Sequence, residues 1–287
     1  MQTQITPFFH AATSTWTYLV RDPASGEAAI IDAVLDFDLA SGEVSHASAA
    51  AVLAAAGEGT RVRWILDTHA HADHLSAAAW LARRTGARTA IGAGIVHVQD
   101  TFRQKLGLDA HEPHLDASAF DRLLHDGDEL PLGELVIRVI ATPGHTPDSM
   151  SYLVGDAVFV GDTLFSPAAG SARCDFPGGD AHALFRSVWR IYGLPARRMF
   201  LAHDYPPAGS EPRAEVPLAE QRTGNSHIRE GVDEAAFVAM RTGRDAGLPP
   251  PRLLWPALQV NIRGGRLPPA QANGERYFKL PIRMREA

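Results

Sequence analysis

The stretch "DTHAHADHLS", Asp67 to Ser76, sets three histidines and two aspartates directly behind the apolar run "RVRWIL", Arg61 to Leu66. The apolar run reads as a buried strand, and a polar loop behind such a strand is a poor candidate for mere solvation. Side chains two apart on extended backbone face the same way. His69 and His71 can therefore address one ion, while Asp73 and His74 turn towards a second position. Three more apolar runs end in the same manner: "LVIRVIA" before "TPGHT" (His145), "AVFV" before "GDT" (Asp162), and "RMFL" before "AHDY" (His203). Several strands thus deliver imidazole and carboxylate to one sheet edge. A donor set without thiolate suits zinc, iron or manganese in a catalytic role rather than a closed structural site. The remaining histidines, His10, His46, His97, His111, His114, His125, His182 and His227, stand alone and read as surface, capping or packing residues.

Composition narrows the partner. The chain has 287 residues, 45% of them hydrophobic, enough for a sizeable core. A formal charge of -6 with no basic block gives nucleic acid or an anionic membrane little to hold, so a small-molecule substrate is expected. No apolar segment approaches the roughly 20 residues of a membrane span. A single cysteine, Cys174, fits a reducing compartment, and a cytoplasmic location is expected.

"TWTYLVRD" and "AAIIDAVLDFD" flank the turn "PASGE" and predict a hairpin. "HASAAAVLAAAG", "LSAAAWLARRTG" and "AHALFRSVWRIYG" predict helices stopped by glycine, and "ARTAIG" a strand. The region beyond about Pro206 is rich in Pro, Gly and Arg and holds one clear helix, "VDEAAFVAMRTGRDAG". The expected class is mixed α/β (α+β) with two sheets covered by helices. Residues 1–205 are expected to form the catalytic domain and 206–287 an extension packed on it.

"THAHADH", "TPGHT", "GDT" and "AHDY", in this order, resemble the metallo-β-lactamase superfamily over roughly residues 7–205. The resemblance implies a four-layer αββα sandwich with the metal at the edge of its two sheets. It also implies one metal position at His69, His71 and His145, a second at Asp73, His74 and His203, and Asp162 able to bridge. "GDTLFSPAAGSARCDFPGGDA" and the tail "LQVNIRGGRLPP" with "NGERYFKLPI" resemble the persulfide dioxygenase branch, the sulfur dioxygenases related to the ethylmalonic encephalopathy protein. Glyoxalase II enzymes typically carry "GCGR" and a Phe-Glu pair after the metal-binding Asp, and a further His after "PGHT"; this chain has neither.

The branch implies a single Fe(II) per chain, carried over by motif to His71, His145 and Asp162, with coordination positions left open for substrate and O₂. His69, Asp73, His74 and His203 would then hydrogen-bond the ligands, or hold a second metal if two bind. The implied reaction converts glutathione persulfide and O₂ to sulfite and glutathione. The alternative is a glyoxalase II-type thioester hydrolase with a dinuclear zinc or mixed site, since zinc activates water near neutral pH. By the same resemblance Arg173 organises the site or binds an anion, with Asp175 as its partner, and Tyr205 contacts the glutathione moiety. Cys174 reads as a small buried residue rather than a nucleophile. Arg222, Arg229 and Arg263 are further candidates to grip the thiol carrier. A homo-oligomer is expected from related enzymes alone.

Overall fold

The computed structural model describes residues 3–109, 111–206, 209–282 and 284. Two six-stranded sheets lie face to face. The first carries, in spatial order, Gln4–His10, Thr15–Arg21, Glu27–Ile31, Arg61–Leu66, Arg88–Gly92 and Arg122–Leu124. The second carries Glu129–Leu132, Leu135–Ala141, Met150–Val154, Ala157–Phe159, Arg198–Phe200 and Glu215–Pro217. Val34–Phe37, Val44–Ser45 and Leu75–Ser76 form a small third sheet. The helices are α1 (Ala47–Ala56), α2 (Ala78–Thr85), α3 (Ile95–Leu106), α4 (Ala181–Tyr192), α5 (Leu218–Gly224), α6 (Glu234–Asp245) and α7 (Leu254–Asn261).

Alternation along the strands decides which side chains meet between the sheets. Tyr18, Val20, Trp64 and Leu66 from the first sheet pack against Ile137, Val139, Tyr152 and Phe159 from the second. The outer face of the first sheet, through Leu19, Ile30 and Ile65, packs on α1, α2 and α7, and that of the second, through Leu153 and Val158, on α4 and α6. Two inner strands, Thr15–Arg21 and Met150–Val154, are consequently buried on both faces. This is the four-layer αββα arrangement expected from the motifs.

The hairpin forms as predicted, with Tyr18 opposite Ile31. Glu27–Ile31, Arg61–Leu66, Arg88–Gly92 and Arg122–Leu124 then run parallel, each pair joined through a helix, which parallel strands require. Ala157–Phe159 and Arg198–Phe200 are likewise parallel, joined through α4. Strands that share a direction end at the same edge, which is why their following loops can converge. At that edge the sheets are tied together: the Trp16 amide donates to Ala202 O at 2.7 Å, and Tyr18 Oη donates to Leu201 O at 2.5 Å.

Beyond residue 206 the chain is more helical than its composition suggested. α5 and α7 accompany the expected α6, and α7 contributes Ala257 and Val260 to the cluster against the first sheet and Leu258 to the one around α3. Pro256 is tolerated because it sits in the first turn of α7, where its missing N–H would have no intrahelical partner. No helix among the described residues is long and apolar enough to cross a membrane.

Candidate metal centre

The loop after Arg61–Leu66 brings His69, His71 and His74 into the interior, and all three are buried. His145 arrives from the turn after Leu135–Ala141, Asp162 from the 3-10 turn after Ala157–Phe159, and His203 from the end of Arg198–Phe200. Glycine precedes two of these residues for steric reasons. A Cβ on Gly144 would lie 2.3 Å from the Leu184 amide nitrogen, and one on Gly161 would lie 2.8 Å from Thr68 Oγ1, each at a positive φ. The ligand-bearing turns can press against α4 and the histidine loop only without a side chain there.

Asp162 is the hub. Its Oδ2 is 3.6 Å from His145 Nε2 and 3.8 Å from His69 Nε2, and its Oδ1 is 3.2 Å from His203 Nε2. His203 Nε2 also lies 3.2 Å from Asp73 Oδ2. Ligand atoms of His69, His71 and Asp162 fall within 4.8 Å of one another, and so do those of His71, Asp73 and His203. The ligand candidates His69, His71, Asp73, His145, Asp162 and His203 therefore meet around two adjoining positions, whereas Arg173, Asp175, Tyr205 and the tail arginines lie outside them. His74 joins them through its ring, 4.1 Å from that of His71.

The donor atoms fit a metal. His69 Nε2, His71 Nδ1, His74 Nε2, His203 Nε2, Asp73 Oδ2 and Asp162 Oδ1 are buried with no hydrogen-bond partner, even where distances are short. So many orphaned polar atoms in one place would cost several kcal/mol, about 1–3 for each, unless a cation receives them. The opposite ring atoms are all committed. His145 Nδ1 donates to Arg173 O at 2.7 Å, His203 Nδ1 to Ser14 O at 3.1 Å, and His69 Nδ1 lies 3.1 Å from Thr68 Oγ1. His71 is reversed: its Nε2 donates to Asp32 Oδ1 at 3.0 Å, which leaves Nδ1 free. Such outer bonds fix the tautomer and the aim of each ring.

Asp32, Asp148 and Asn261 were not singled out in the sequence, yet they hold the loop. Asp32 accepts from the Thr68 amide at 2.7 Å as well as from His71. Asp148 accepts from the Ala70 amide at 2.7 Å. Asn261, at the end of α7, donates to His71 O (2.7 Å) and His74 O (2.8 Å) while accepting from the Ser76 amide at 2.7 Å. The only sequence signal for Asp32 and Asn261 is an acidic or amide residue inside an otherwise apolar segment, and Asp148, in the polar turn after His145, carries none.

The charges are strongly coupled. Burial opposes ionisation of Asp162, but His203, His69 and His145 hold its carboxyl well below the usual range. Burial also works against a charged His71 and His203; Asp32 for the first, and Asp73 with Asp162 for the second, raise them to about 9 and about 10. Burial drives His74 down to about 3. Both shifts favour the protonated rings in the metal-free protein, and a metal must displace those protons. Metal affinity is expected to rise with pH towards about 9–10. Calorimetry in buffers of different ionisation enthalpy should register proton release at pH 7; binding without proton release would contradict it.

A cavity of about 1160 Å³ opens over Asp73, His145 and Asp162. Tyr205, 58% exposed, lines it and lies parallel to the His203 ring at 6.0 Å. Arg173 also faces it, but its guanidinium is engaged: Nε and Nη2 donate to Asp175 at 2.6 Å each, and Nη1 donates to Pro249 O at 2.7 Å. Its carbonyl is what touches the site, through His145. Cys174 is half-buried, with burial raising its thiol to about 12, so it is no nucleophile. Among the tail arginines, Arg263 is not available to a substrate, because it is buried in an ion pair with Glu112, and Arg222 pairs with Glu230 at 2.9 Å. Among the described residues, the cavity-lining cations in no ion pair are Lys105, Arg244 and Arg252.

The metallo-beta-lactamase superfamily model matches residues 11–203, which span every one of these ligands. The chain belongs to the metallo-beta-lactamase superfamily. Within this superfamily of metal-dependent enzymes, it is 50% identical to a probable metallo-hydrolase of Burkholderia pseudomallei, over 96% of this chain and 97% of the relative. It is 48% identical to a beta-lactamase hydrolase-like protein of Xylella fastidiosa, over 97% of this chain but only 64% of that longer relative. It is 29% identical to the mitochondrial persulfide dioxygenase ETHE1 of Bos taurus, over 91% of this chain and 89% of the relative. The crystal structure of ETHE1 from Myxococcus xanthus superposes with a TM-score of 0.72 at 31% identity, covering 93% of this chain and 100% of that one.

Proposed function

We propose that this chain is a mononuclear iron dioxygenase that converts glutathione persulfide, O₂ and water into glutathione, sulfite and protons. The carrying observation is the cluster at Asp162 Oδ2, on which His69 and His145 converge, with His145 and Asp162 lining the open cavity and His69 buried behind them. His69 and His71 both bring a ligand atom within 4.8 Å of that of Asp162; His69 is the one whose Nε2 sits with His145 Nε2 at Asp162 Oδ2, which favours it over the His71 of the motif carry-over. His71 is turned by Asp32 and shared with Asp73 and His203. Likeness to persulfide dioxygenase ETHE1 over nine-tenths of the chain agrees with this reading.

Iron, when bound, supplies the redox steps between O₂ and sulfur that zinc cannot. The chain's own residues bind and orient. Arg173 O and Thr68 Oγ1 aim His145 and His69. The Arg173–Asp175 pair fixes the segment carrying that carbonyl against Pro249. Phe165, Phe176 and Trp255 give the cavity an apolar wall, while Lys105, Arg244 and Arg252 suit an acidic thiol carrier. His203 Nε2, between Asp73 and Asp162, is the atom placed to hold the proton that the departing thiolate takes.

A second reading, a dinuclear thioester hydrolase, is favoured by the second complete group of His71, Asp73 and His203 and by the hydrolase names of the more similar relatives. Oxygen uptake by Fe(II)-loaded protein given glutathione persulfide, with S-lactoylglutathione cleavage followed in parallel, separates the two. Uptake matched by sulfite supports the dioxygenase; thioester cleavage without uptake overturns it. A His74→Ala variant is expected to keep its iron and lose about ten- to a hundredfold in activity, as for a residue that only orients ligands. Loss of all metal from that variant, measured by elemental analysis, would exclude the mononuclear site.

A further inference from the structure

A second cavity of about 590 Å³ lies between α2 and the tail segment 263–276, and it shares no lining residue with the first. Among the described residues its wall contains Arg83, Arg263, Arg266 and Arg276 together with His46 and His114, and no acidic residue. Arg263 is already neutralised by Glu112. The other three arginines are in no ion pair among the described residues. Arg266 donates to Ala119 O at 2.7 Å and Arg276 to Pro268 O, neutral partners that leave their charge standing. Burial lowers the Arg266 pKa, Asp121 opposes this from outside the cavity wall, and Arg83 adds to the lowering as a like charge. The same repulsion acts on His114, lowered by burial and then by Arg266, with Asp116 opposing. In a chain of net charge -6, a concave surface lined by three arginines in no ion pair among the described residues is the reverse of what composition would scatter there.

Of the three, Arg266 is half-buried and Arg83 and Arg276 are exposed, and like charges lining one cavity repel unless an anion completes them. The forked guanidinium matches the paired oxygens of phosphate and carboxylate. The volume is in the range of small-molecule sites, roughly 300–1,000 Å³. We propose that this cavity is a binding site for a small multivalent oxyanion, phosphate- or carboxylate-based, held by Arg83, Arg266 and Arg276 with His114 at the rim. It is separate from the metal-bearing cavity and independent of the reaction performed there. The aromatic wall adds shape rather than a free stacking face: Trp80 is covered on one side by His46, parallel at 4.9 Å, and Arg84 sits over its ring at 5.0 Å.

The test is calorimetric titration of the metal-loaded full chain at low salt with fructose 1,6-bisphosphate and, separately, tricarballylate. Saturable binding of one ion per chain is expected for at least one probe, and which probe binds tells phosphate from carboxylate. Arg83→Gln and Arg276→Gln should each weaken that binding about tenfold, the usual scale of one charged hydrogen bond. Arg83 is exposed, so its variant should fold normally. Arg244→Gln, in the other cavity, should leave it unchanged. Absence of saturable binding by both probes overturns the proposal. So does binding that is lost in Arg244→Gln and intact in the Arg83 and Arg276 variants.

Discussion

An Asp162→Asn protein is expected to fold and to lose its metal. Asn preserves the shape at a position where three histidines converge, His69 and His145 on Oδ2 and His203 on Oδ1, but removes the charge that those rings stabilise. Gly161 keeps its turn, so the local backbone has no reason to move. Outer partners of metal ligands cost about 10–100-fold in affinity when removed. Asp162 touches both candidate positions, and its loss should exceed about 100-fold at each, with activity falling alongside. Elemental analysis beside a thermal melt of the metal-free form checks it. Wild-type metal content in this variant would mean that the histidines alone hold the ion. Asp162 would then have to be read as an ordinary buried acid paired with His203.

The parts of the site that were legible in the sequence are those whose signal is local. Each ligand ends an apolar run, so period and position together disclosed His69, His71, His145, Asp162 and His203 without any contact information. Helices with glycine stops, α1, α2 and α4, were equally plain. α3 was not, although Ile95, Val98, Phe102 and Leu106 recur at helical spacing, because the polar residues between them mask the stripe on casual reading. α7 was hidden by Pro256 and by its burial on nearly every side, which removes the polar face that marks an amphipathic helix. Arg263 misled for a related reason. A long cation in a Gly-rich segment looks solvent-facing, and only the fold brings Glu112 to it.

Asp32 and Asn261 belong to a third class, in which the partner is remote. Asp32 acts on His71 from 39 residues away and Asn261 from 190, so neither makes a pattern within any window of sequence. Their presence explains why the histidine loop can remain rigid with few regular backbone bonds of its own. A loop buried beside a metal must still pair its N–H and C=O groups. Here a single carboxamide takes three of them, two carbonyls and one amide.

Replacing Asn261 by Leu is therefore expected to be the most destabilising single change outside the ligands. Leu fills similar space but leaves His71 O, His74 O and the Ser76 amide without partners in a buried setting. At about 1–3 kcal/mol for each unsatisfied group, the loss is on the order of 3–5 kcal/mol. For a domain of this size that lowers Tm by roughly 10 °C. Relaxation of the loop would also swing His71 and His74, so metal affinity should fall about 10–100-fold. An Asn261→Asp variant separates the two halves of the clamp. Asp can still accept from Ser76 but turns an acceptor towards both carbonyls, and it should be at least as damaging as Leu. Thermal melts with and without metal, together with metal titration, provide the reading. A Leu variant that melts within a degree of the wild type would show that water or backbone adjustment satisfies the loop, and that α7 does no more than pack beside the site.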